Sequence, residues 1–161
     1  MAIRYGWSLD ADDWRAAGRA LTGTNWSGTY LEEMYRSGVP EQAGIYMLCS
    51  SHKPIEGLQS AKPIFNVLYV GKSDNLRRRF REHQTGSGSS AEVKRCKLAY
   101  HRIEFLFTLV PESSIGDSGG WMSDAEQALI DAFGPPANRV AAKARIGKGR
   151  PAGSPREGRH R

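Results

Sequence analysis

The chain has 161 residues, 39% of them hydrophobic, which is enough for one packed domain with modest extensions but not for two. No run approaches the roughly 20 apolar residues that a membrane-spanning helix needs, and no apolar signal segment follows Met1, so neither a membrane partner nor a secretory route is expected. The two cysteines fall short of a disulfide framework, and a cytoplasmic, reduced protein is expected.

The net charge of +6 is unevenly distributed along the chain. Residues 141–161 carry seven Lys or Arg and one acid, and residues 72–102 carry nine basic and three acidic residues. Residues 103–140 carry one basic and six acidic residues. The basic stripe at 72–102 indicates a polyanion partner. For residues 141–161, polyanion binding and a merely solvated surface both stay open.

Residues 1–42 predict an N-terminal helical extension in front of the core. Asp10 is a suitable helix cap, and Thr29 with Glu32 forms a capping box, the pattern that opens a helix. The elements expected here are a short strand at 2–7, a helix from Asp10 to about Leu21, and a short helix that begins at Thr29 and ends before Pro40.

The core reads as strand, strand, helix, strand, helix. The clearest strand is 101–110, because apolar residues alternate there from Ile103 to Leu109. This order predicts an α+β domain at 43–140, with a small three-stranded antiparallel sheet flanked by helices. The expected elements are strands at 44–49, 67–70 and 101–110, a helix from a cap at Ser73 or Asp74 to about Gln84, a short basic segment at 92–97, and a helix that begins at Ser123 and stops at Gly134.

Three segments are expected to be irregular. The connection at 50–66 is long for a hairpin, and long loops are often functional. Residues 85–90 are Gly and Ser apart from Thr85, and they predict a flexible loop. Residues 141–161 form a basic tail rich in Gly, Pro and Arg, which is expected to stay disordered when free.

Two of the expected strands each carry a tyrosine, in Gly44-Ile45-Tyr46 and Tyr69-Val70-Gly71. A helix with densely spaced cations begins where the second strand stops. This arrangement directs two phenols and several positive charges toward one place, as phosphate chemistry requires. Packing alone is the alternative, because half-buried tyrosines are common in strands.

The chain resembles the GIY-YIG nuclease superfamily over about residues 43–140, most of all its compact restriction-endonuclease branch. The resemblance implies the α+β fold described above and divalent-metal-dependent hydrolysis of DNA phosphodiester bonds. One departure is the connection at 50–66, which is longer than in the repair-enzyme branch. The matching elements are, in order, Gly44-Ile45-Tyr46, Tyr69-Val70-Gly71, Lys72 to Leu76, Arg79, His83, Glu126 and Asn138.

The resemblance implies Tyr46 as the general base and Tyr69 as a hydrogen-bonding partner of the phosphate or the water. A free phenol has a pKa of about 10, so a nearby cation would have to favour the phenolate. Lys72, one residue past the second motif, is expected to reach that phenol. Arg79 would clamp phosphate oxygens in the transition state. His83, one helical turn later, would relay a proton, or it is a surface histidine.

The resemblance makes Glu126 the metal ligand. A structural alternative exists, because Ser123 to Glu126 also reads as a capping box that would use the same carboxylate. Two-metal nucleases gather several carboxylates. Here one is available, so a single Mg²⁺ or Mn²⁺ that keeps most of its waters is expected. Asn138 would orient a phosphate or the part of the site around Tyr46. A turn asparagine without a role in the site is the alternative.

Several basic residues are predicted to contact DNA outside the reacting centre. On the expected helix, Leu76 and Phe80 would face the sheet, which leaves three arginines pointing outward. The basic segment at 92–97 adds three more cations. A solvated basic surface is the alternative, above all for Arg77 and Arg81. The predicted nucleic-acid contacts are Arg77, Arg78, Arg81, Lys94, Arg95 and Lys97.

These observations predict a DNA endonuclease of restriction or defence that cuts double-stranded DNA. Its specificity would come from residues 1–42 and the loop at 50–66. A structure-selective repair or recombination nuclease, a nucleic-acid-binding module without catalysis, and an RNA-cleaving toxin are the alternatives. A duplex cutter could use a symmetric homodimer, but no interface can be read from the sequence.

Overall fold

The computed structural model describes residues 10–51, 65–100 and 102–138. The strand expected at 2–7, most of the connection at 50–66 and the tail at 141–161 lie outside these residues. The helices are α1 (Ala11–Ala20), α2 (Leu76–Thr85), α3 (Ala91–Ala99) and α4 (Ser118–Phe133), the strands are β1 (Ser27–Tyr30), β2 (Gly44–Ser51), β3 (Phe65–Ser73) and β4 (Ile103–Leu109), and two short 3₁₀ helices span Glu33–Gly38 and Glu112–Asp117.

The strands form one antiparallel sheet in the order β1-β4-β2-β3. The α+β class is therefore confirmed, with four strands among the described residues in place of the three expected. The added strand includes Thr29, where the start of a helix was expected. Pairing with β4, from Ser27 opposite Phe107 to Tyr30 opposite Glu104, satisfies this backbone and outweighs the local capping pattern.

Helices cover both faces of the sheet. On one face, Tyr46, Leu48 and Phe105 pack against Leu76 and Phe80 of α2. The other face of the sheet packs against α4. Its side chains come from the strand residues next to those of the first face, because successive side chains in a strand point to opposite faces. That second buried set includes Ile45, Met47, Val70, Ala125 and Leu129.

The alternation predicted for β4 is confirmed over most of its length. Ile103, Phe105 and Phe107 are buried. Leu109 is 38% exposed because it is the last residue of the strand. The sheet is thus anchored at its centre by the strand that the sequence identifies best.

The α1 helix lies on α4. Its predicted cap is confirmed, since the Asp10 side chain accepts a hydrogen bond from the backbone of Asp12 at 2.8 Å. The Trp14 and Phe133 rings meet edge to face at 5.2 Å, and Trp121 Nε1 donates to the Ala20 carbonyl at 3.0 Å. Residues 11–30 therefore complete the sheet and cover α4. The predicted domain boundaries themselves stay predictions.

Two helix starts differ from the prediction. The α2 helix is capped by Asn75, whose side chain accepts from the Arg78 N–H at 2.8 Å, because Ser73 is still part of β3. The α4 helix begins at Ser118, five residues before Ser123, with Asp117 as its cap. Its end at Gly134, in the left-handed conformation, is as predicted. The basic segment at 92–97 belongs to a regular helix, α3.

Within the described part of the chain, no helix has both the length and the apolar character needed to cross a membrane.

Candidate active site

The Tyr46 phenol is the centre of the candidate site. Its side chain is 0% exposed and stacks on Phe105 with 4.9 Å between ring centroids. Its hydroxyl accepts a hydrogen bond from Arg79 Nε at 2.9 Å and lies 2.9 Å from His83 Nε2. The α2 helix supplies both partners, since Arg79 and His83 are one turn apart on the side that faces the sheet.

Tyr69 lies beside Tyr46 on the same face of the sheet. Its partly buried ring is 6.0 Å from the Tyr46 ring and 5.7 Å from the His83 ring, measured between centroids. The register explains this proximity, because Tyr69 pairs with Leu48, two residues from Tyr46. Two phenols, an imidazole and a guanidinium therefore share one small region.

Gly71 makes room for the Tyr46 hydroxyl. It is directly opposite Tyr46 in the β2–β3 pair. A Cβ atom at this position would lie 2.5 Å from the Tyr46 hydroxyl and 2.8 Å from the Tyr69 ring. The glycine is thus required by the close approach within the sheet, and β3 continues through it to Ser73.

Burial dominates the electrostatics of this group. It raises the pKa of Tyr46 well above its ordinary value, Tyr69 raises it further, and Arg79 opposes both. Burial, with Arg79 and Lys97 adding to it, lowers the pKa of His83 to about 3. At neutral pH the phenol is protonated and the imidazole is neutral, so the imidazole is able to accept a proton.

Arg79 is held by more than the phenol. Its Nη1 atom donates to Glu82 Oε2 at 2.8 Å and to the Gly88 carbonyl at 3.1 Å. Its side chain is 25% exposed. The guanidinium is thus fixed on one edge and reaches solvent on another.

Lys72 does not contact the phenol, contrary to expectation. Tyr46 pairs with Gly71 and Ile45 pairs with Lys72, so the Lys72 side chain points to the opposite face of the sheet. There its Nζ atom donates to Ser123 Oγ at 2.7 Å and lies 3.4 Å from Glu126 Oε2. The cation at the phenol is Arg79.

The Glu126 carboxylate is not part of a capping box. Because α4 begins at Ser118, Ser123 lies inside the helix, and its hydroxyl donates to the Gly119 carbonyl at 2.8 Å. The Glu126 side chain is 23% exposed and pairs with Lys72. The competing interpretation of this carboxylate is therefore wrong.

The described residues contain no group of three or more His, Cys, Asp or Glu side chains that could hold a metal ion. A lone carboxylate suits Mg²⁺ or Mn²⁺, which retain waters and accept phosphate oxygens, and does not suit a closed zinc site. Glu126 fits the expected role of a single protein ligand.

Asn138 binds the backbone of β3, while its expected role toward a phosphate stays a prediction. Its Oδ1 atom accepts from the Val70 N–H at 2.8 Å, and its Nδ2 atom donates to the Val70 carbonyl at 2.8 Å. Because β3 is an edge strand, these bonds replace those of a missing neighbour. Asn138 therefore fixes the strand between Tyr69 and Gly71 through both atoms of its amide.

Two of the six predicted DNA contacts are held within the protein. Arg77 donates to the Val39 carbonyl at 2.7 Å and to Glu41 at 2.6 Å. Lys97 donates to the His83 and Gln84 carbonyls at 2.7 and 2.9 Å, where it satisfies the end of α2. The contacts of both side chains therefore hold α2 against its neighbours. The four that the structure leaves exposed are Arg78, which pairs with Asp74, and Arg81, Lys94 and Arg95.

Sequence reasoning missed Ser89. Its hydroxyl lies 2.9 Å from His83 Nδ1, on the far side of the ring from Tyr46. A serine in a Gly- and Ser-rich loop has the composition of a linker, and no spacing rule connects it to a helix residue six positions earlier. Gly88, which accepts from Arg79, was missed for the same reason. Glu82 was also missed, although its i, i+3 spacing from Arg79 on the predicted helix could have indicated the pair.

The model of the GIY-YIG catalytic domain matches residues 42–139, so the chain belongs to the GIY-YIG nuclease superfamily. Membership implies a nuclease that acts on DNA. No curated protein and no solved structure matches the chain at a significant level.

Proposed function

We propose that this protein is a divalent-metal-dependent endonuclease of restriction or defence that hydrolyses phosphodiester bonds in double-stranded DNA. One observation carries the proposal: the buried Tyr46 hydroxyl lies between a guanidinium, Arg79, and a neutral imidazole, His83, each at 2.9 Å. Any buried tyrosine needs a partner for its hydroxyl. Here the same oxygen has a cationic donor and a neutral imidazole beside it, which is the arrangement that a phenol exchanging protons requires.

Tyr46 acts as the base by passing its own proton on. With a raised pKa, the phenol is a poor base unless its hydroxyl proton leaves as the water proton arrives. The neutral His83 is placed to accept it at Nε2. After burial, the positive charge of Arg79 does most to lower the pKa of His83. A phosphate bound at Arg79 would offset that charge. Substrate binding therefore makes His83 a better acceptor.

Arg79 stabilises the charge that develops on the phosphoryl group. Its Nε and Nη1 atoms are held by Tyr46, Glu82 and Gly88, so the guanidinium is oriented before the substrate arrives. Such preorganised donors are the largest contribution in many enzymes. Tyr69, beside Tyr46, donates a hydrogen bond to the phosphate or the attacking water.

Glu126 would hold the Mg²⁺ or Mn²⁺ ion; its carboxylate pairs with Lys72, whose side chain points to the face of the sheet opposite Tyr46. When bound, the ion neutralises phosphate charge and stabilises the leaving oxygen. Lys72 and Ser123 orient the Glu126 side of the site, since Lys72 bonds the Ser123 hydroxyl and pairs with the carboxylate. Arg78, Arg81, Lys94 and Arg95 contact flanking phosphates.

The test is digestion of supercoiled plasmid with Mg²⁺, with Mn²⁺ and with a chelator. Wild type is expected to cut only with metal. Tyr46→Phe and Glu126→Ala are each expected to lose at least about 100-fold in rate, the size of effect seen for single groups that act in the transition state. Tyr35→Phe, in the first 3₁₀ helix, is the matched control and is expected to cut normally.

Cleavage without metal, or full activity in both site variants, would overturn this mechanism. The fragment ends separate the biological roles. Ends at one fixed duplex sequence support restriction. Cutting confined to flaps or branched DNA would replace it with a structure-selective repair or recombination nuclease.

A further inference from the structure

The segment between α2 and α3 reaches the candidate site at two points. The Gly88 carbonyl accepts from Arg79, and the Ser89 hydroxyl lies against His83 Nδ1. The segment is held in place by its own bonds, because the Gly88 N–H reaches the Glu82 carbonyl at 3.4 Å and Ser90 caps α3. The segment therefore makes specific contacts with the site and with both flanking helices, which its Gly- and Ser-rich composition does not predict.

The direction of each hydrogen bond can be worked out from Arg79. A guanidinium only donates, so the Tyr46 oxygen accepts from Arg79 Nε. The Tyr46 hydroxyl hydrogen then needs an acceptor inside the protein, since the side chain has no exposure. His83 Nε2 is such an acceptor at 2.9 Å, provided that the imidazole carries its single proton on Nδ1.

The Nδ1 proton in turn needs an acceptor, and Ser89 Oγ lies 2.9 Å away. Ser89 is half-buried, so its own hydroxyl hydrogen can turn to solvent while its oxygen accepts. The opposite tautomer would place a proton on Nε2. It could not receive the Tyr46 proton, because that nitrogen would already be occupied.

We propose that Ser89 is a positioning residue that accepts the Nδ1 proton of His83 and so keeps Nε2 free to receive the proton of Tyr46. This inference rests on the proposed hydrolysis. In the step, the water O–H bond breaks and its proton forms a new O–H bond on Tyr46. The former Tyr46 proton forms an N–H bond on His83, and the water oxygen attacks phosphorus as the leaving oxygen departs. The imidazolium so formed donates to Ser89 at one nitrogen and to Tyr46 at the other.

The surroundings of His83 make this bond important. The charged groups that face it are Arg79 on its own helix and Lys97 from α3, and both oppose a positive imidazole. Tyr46 and Tyr69 face it from the sheet. Ser89 supplies an acceptor on the Nδ1 side, and a hydrogen bond to the charged form favours that form.

The test combines imidazole ¹⁵N NMR with cleavage kinetics on the full chain. The variants are Ser89→Ala, the conservative Ser89→Thr, and Ser87→Ala as a control in the same connection. Ser87 is exposed and bonds Thr85, away from the ring. His83→Gln identifies the His83 signals by their loss.

Wild type, Ser89→Thr and Ser87→Ala are expected to show Nδ1 protonated and Nε2 unprotonated. Ser89→Ala is expected to show a mixture of tautomers. Its kcat should fall about 10- to 100-fold, the size of effect found for the outer hydrogen-bond partners of metal-binding histidines, and its KM should change little. Ser89→Thr is expected to restore the rate.

Protonated Nε2 in wild type would overturn the proposal, and so would a Ser89→Ala variant with unchanged tautomer and kcat. The NMR result does not depend on cleavage. If the wild type cuts no DNA but its tautomer depends on Ser89, the hydrolytic function fails and the positioning role stands.

Discussion

At the scale of single residues, the candidate site depends on a glycine, which has no side chain, and on two side chains that contact the Tyr46 hydroxyl. Gly71 leaves the space that the Tyr46 hydroxyl occupies across the β2–β3 pair. Arg79 and His83 then hold that hydroxyl from α2. The geometry of the site is therefore set by contacts of less than 3 Å, which small changes disturb.

We expect Gly71→Ala to displace the Tyr46 phenol, because the new Cβ would lie 2.5 Å from its hydroxyl. Cleavage should fall about 100-fold, as expected for a misplacement of about 1 Å. The free energy of unfolding should fall by about 1–3 kcal/mol from overpacking. Plasmid cleavage rates and urea unfolding measure the two effects.

Gly18→Ala is the matched control for this substitution. Gly18 lies inside α1, and an added Cβ would meet nothing within 4 Å. It should leave cleavage unchanged and raise the free energy of unfolding by about 0.5–1 kcal/mol. Equal activity in both alanine variants would show that Gly71 has no part in placing the phenol.

His83 makes stability depend on pH. Its pKa is about 3 in the folded protein, against about 6.5 when unfolded. Above pH 6.5 both states are neutral and stability is complete. As pH falls from 6.5 toward 3 the unfolded state binds the proton first, so stability is lost. Urea unfolding at pH 7, 5.5 and 4.5 should show a smaller loss in His83→Gln than in wild type. Parallel pH profiles would contradict the buried neutral imidazole.

At the scale of elements, α3 carries cations with two different roles. Lys97 bonds the last carbonyls of α2, whereas Lys94 is exposed one turn earlier on the same helix. Nothing in the local sequence distinguishes the roles of the two lysines. The packing of α3 on α2 does. The same holds on α2, where Arg77 is held by Val39 and Glu41 while Arg81 is exposed.

Lys97→Met should lower the free energy of unfolding by about 1–3 kcal/mol, because two carbonyls lose their partner. It should leave the salt dependence of DNA binding nearly unchanged. Lys94→Met should do the reverse, with stability changed by less than about 0.5 kcal/mol and the slope of log affinity against log salt reduced by about 1. Thermal unfolding and binding isotherms at several salt concentrations give both numbers, and the reverse assignment of the two effects would contradict the structure.

At the scale of the whole molecule, the region matched by the family model is completed by residues that precede it. The match begins at residue 42, yet β1 pairs with β4, and α1 lies on α4. The site spans both faces of β3, so it depends on both layers of helices. The α1 helix acts on it indirectly, by covering the helix that carries Glu126.

A chain that begins at Glu41 should therefore lose its cooperative thermal transition or unfold at a much lower temperature than the full chain. It lacks β1, α1 and the carbonyls that bind Arg77. The full chain with Trp14→Ala is the comparison, since it loses one edge-to-face ring contact, worth about 0.5–1.5 kcal/mol beyond the area that it buries. Calorimetry measures both. Cooperative unfolding of the short chain at the wild-type midpoint would show that the family core folds without its extension.

Local patterns in the sequence were sufficient to predict much of this fold. The alternation in β4, the Asp10 cap and the Gly134 stop are properties of neighbouring residues, and the structure has all three. The helix start at Thr29 was predicted wrongly because strand pairing with β4 outweighs the capping box. The predicted start of the last helix at Ser123 was wrong because Asp117 caps α4 five residues earlier, at Ser118.

The sequence by itself determined the family, the α+β class and the side chains available for phosphate chemistry, because these follow from motifs and spacing. Only the tertiary structure decided which partner each side chain has. Strand register sent Lys72 to the face opposite Tyr46, the edge position of β3 engaged Asn138, and the connection after α2 brought Ser89 to His83. Hydrogen bonds act over about 3 Å between groups that are distant in the chain, so local sequence patterns do not encode them.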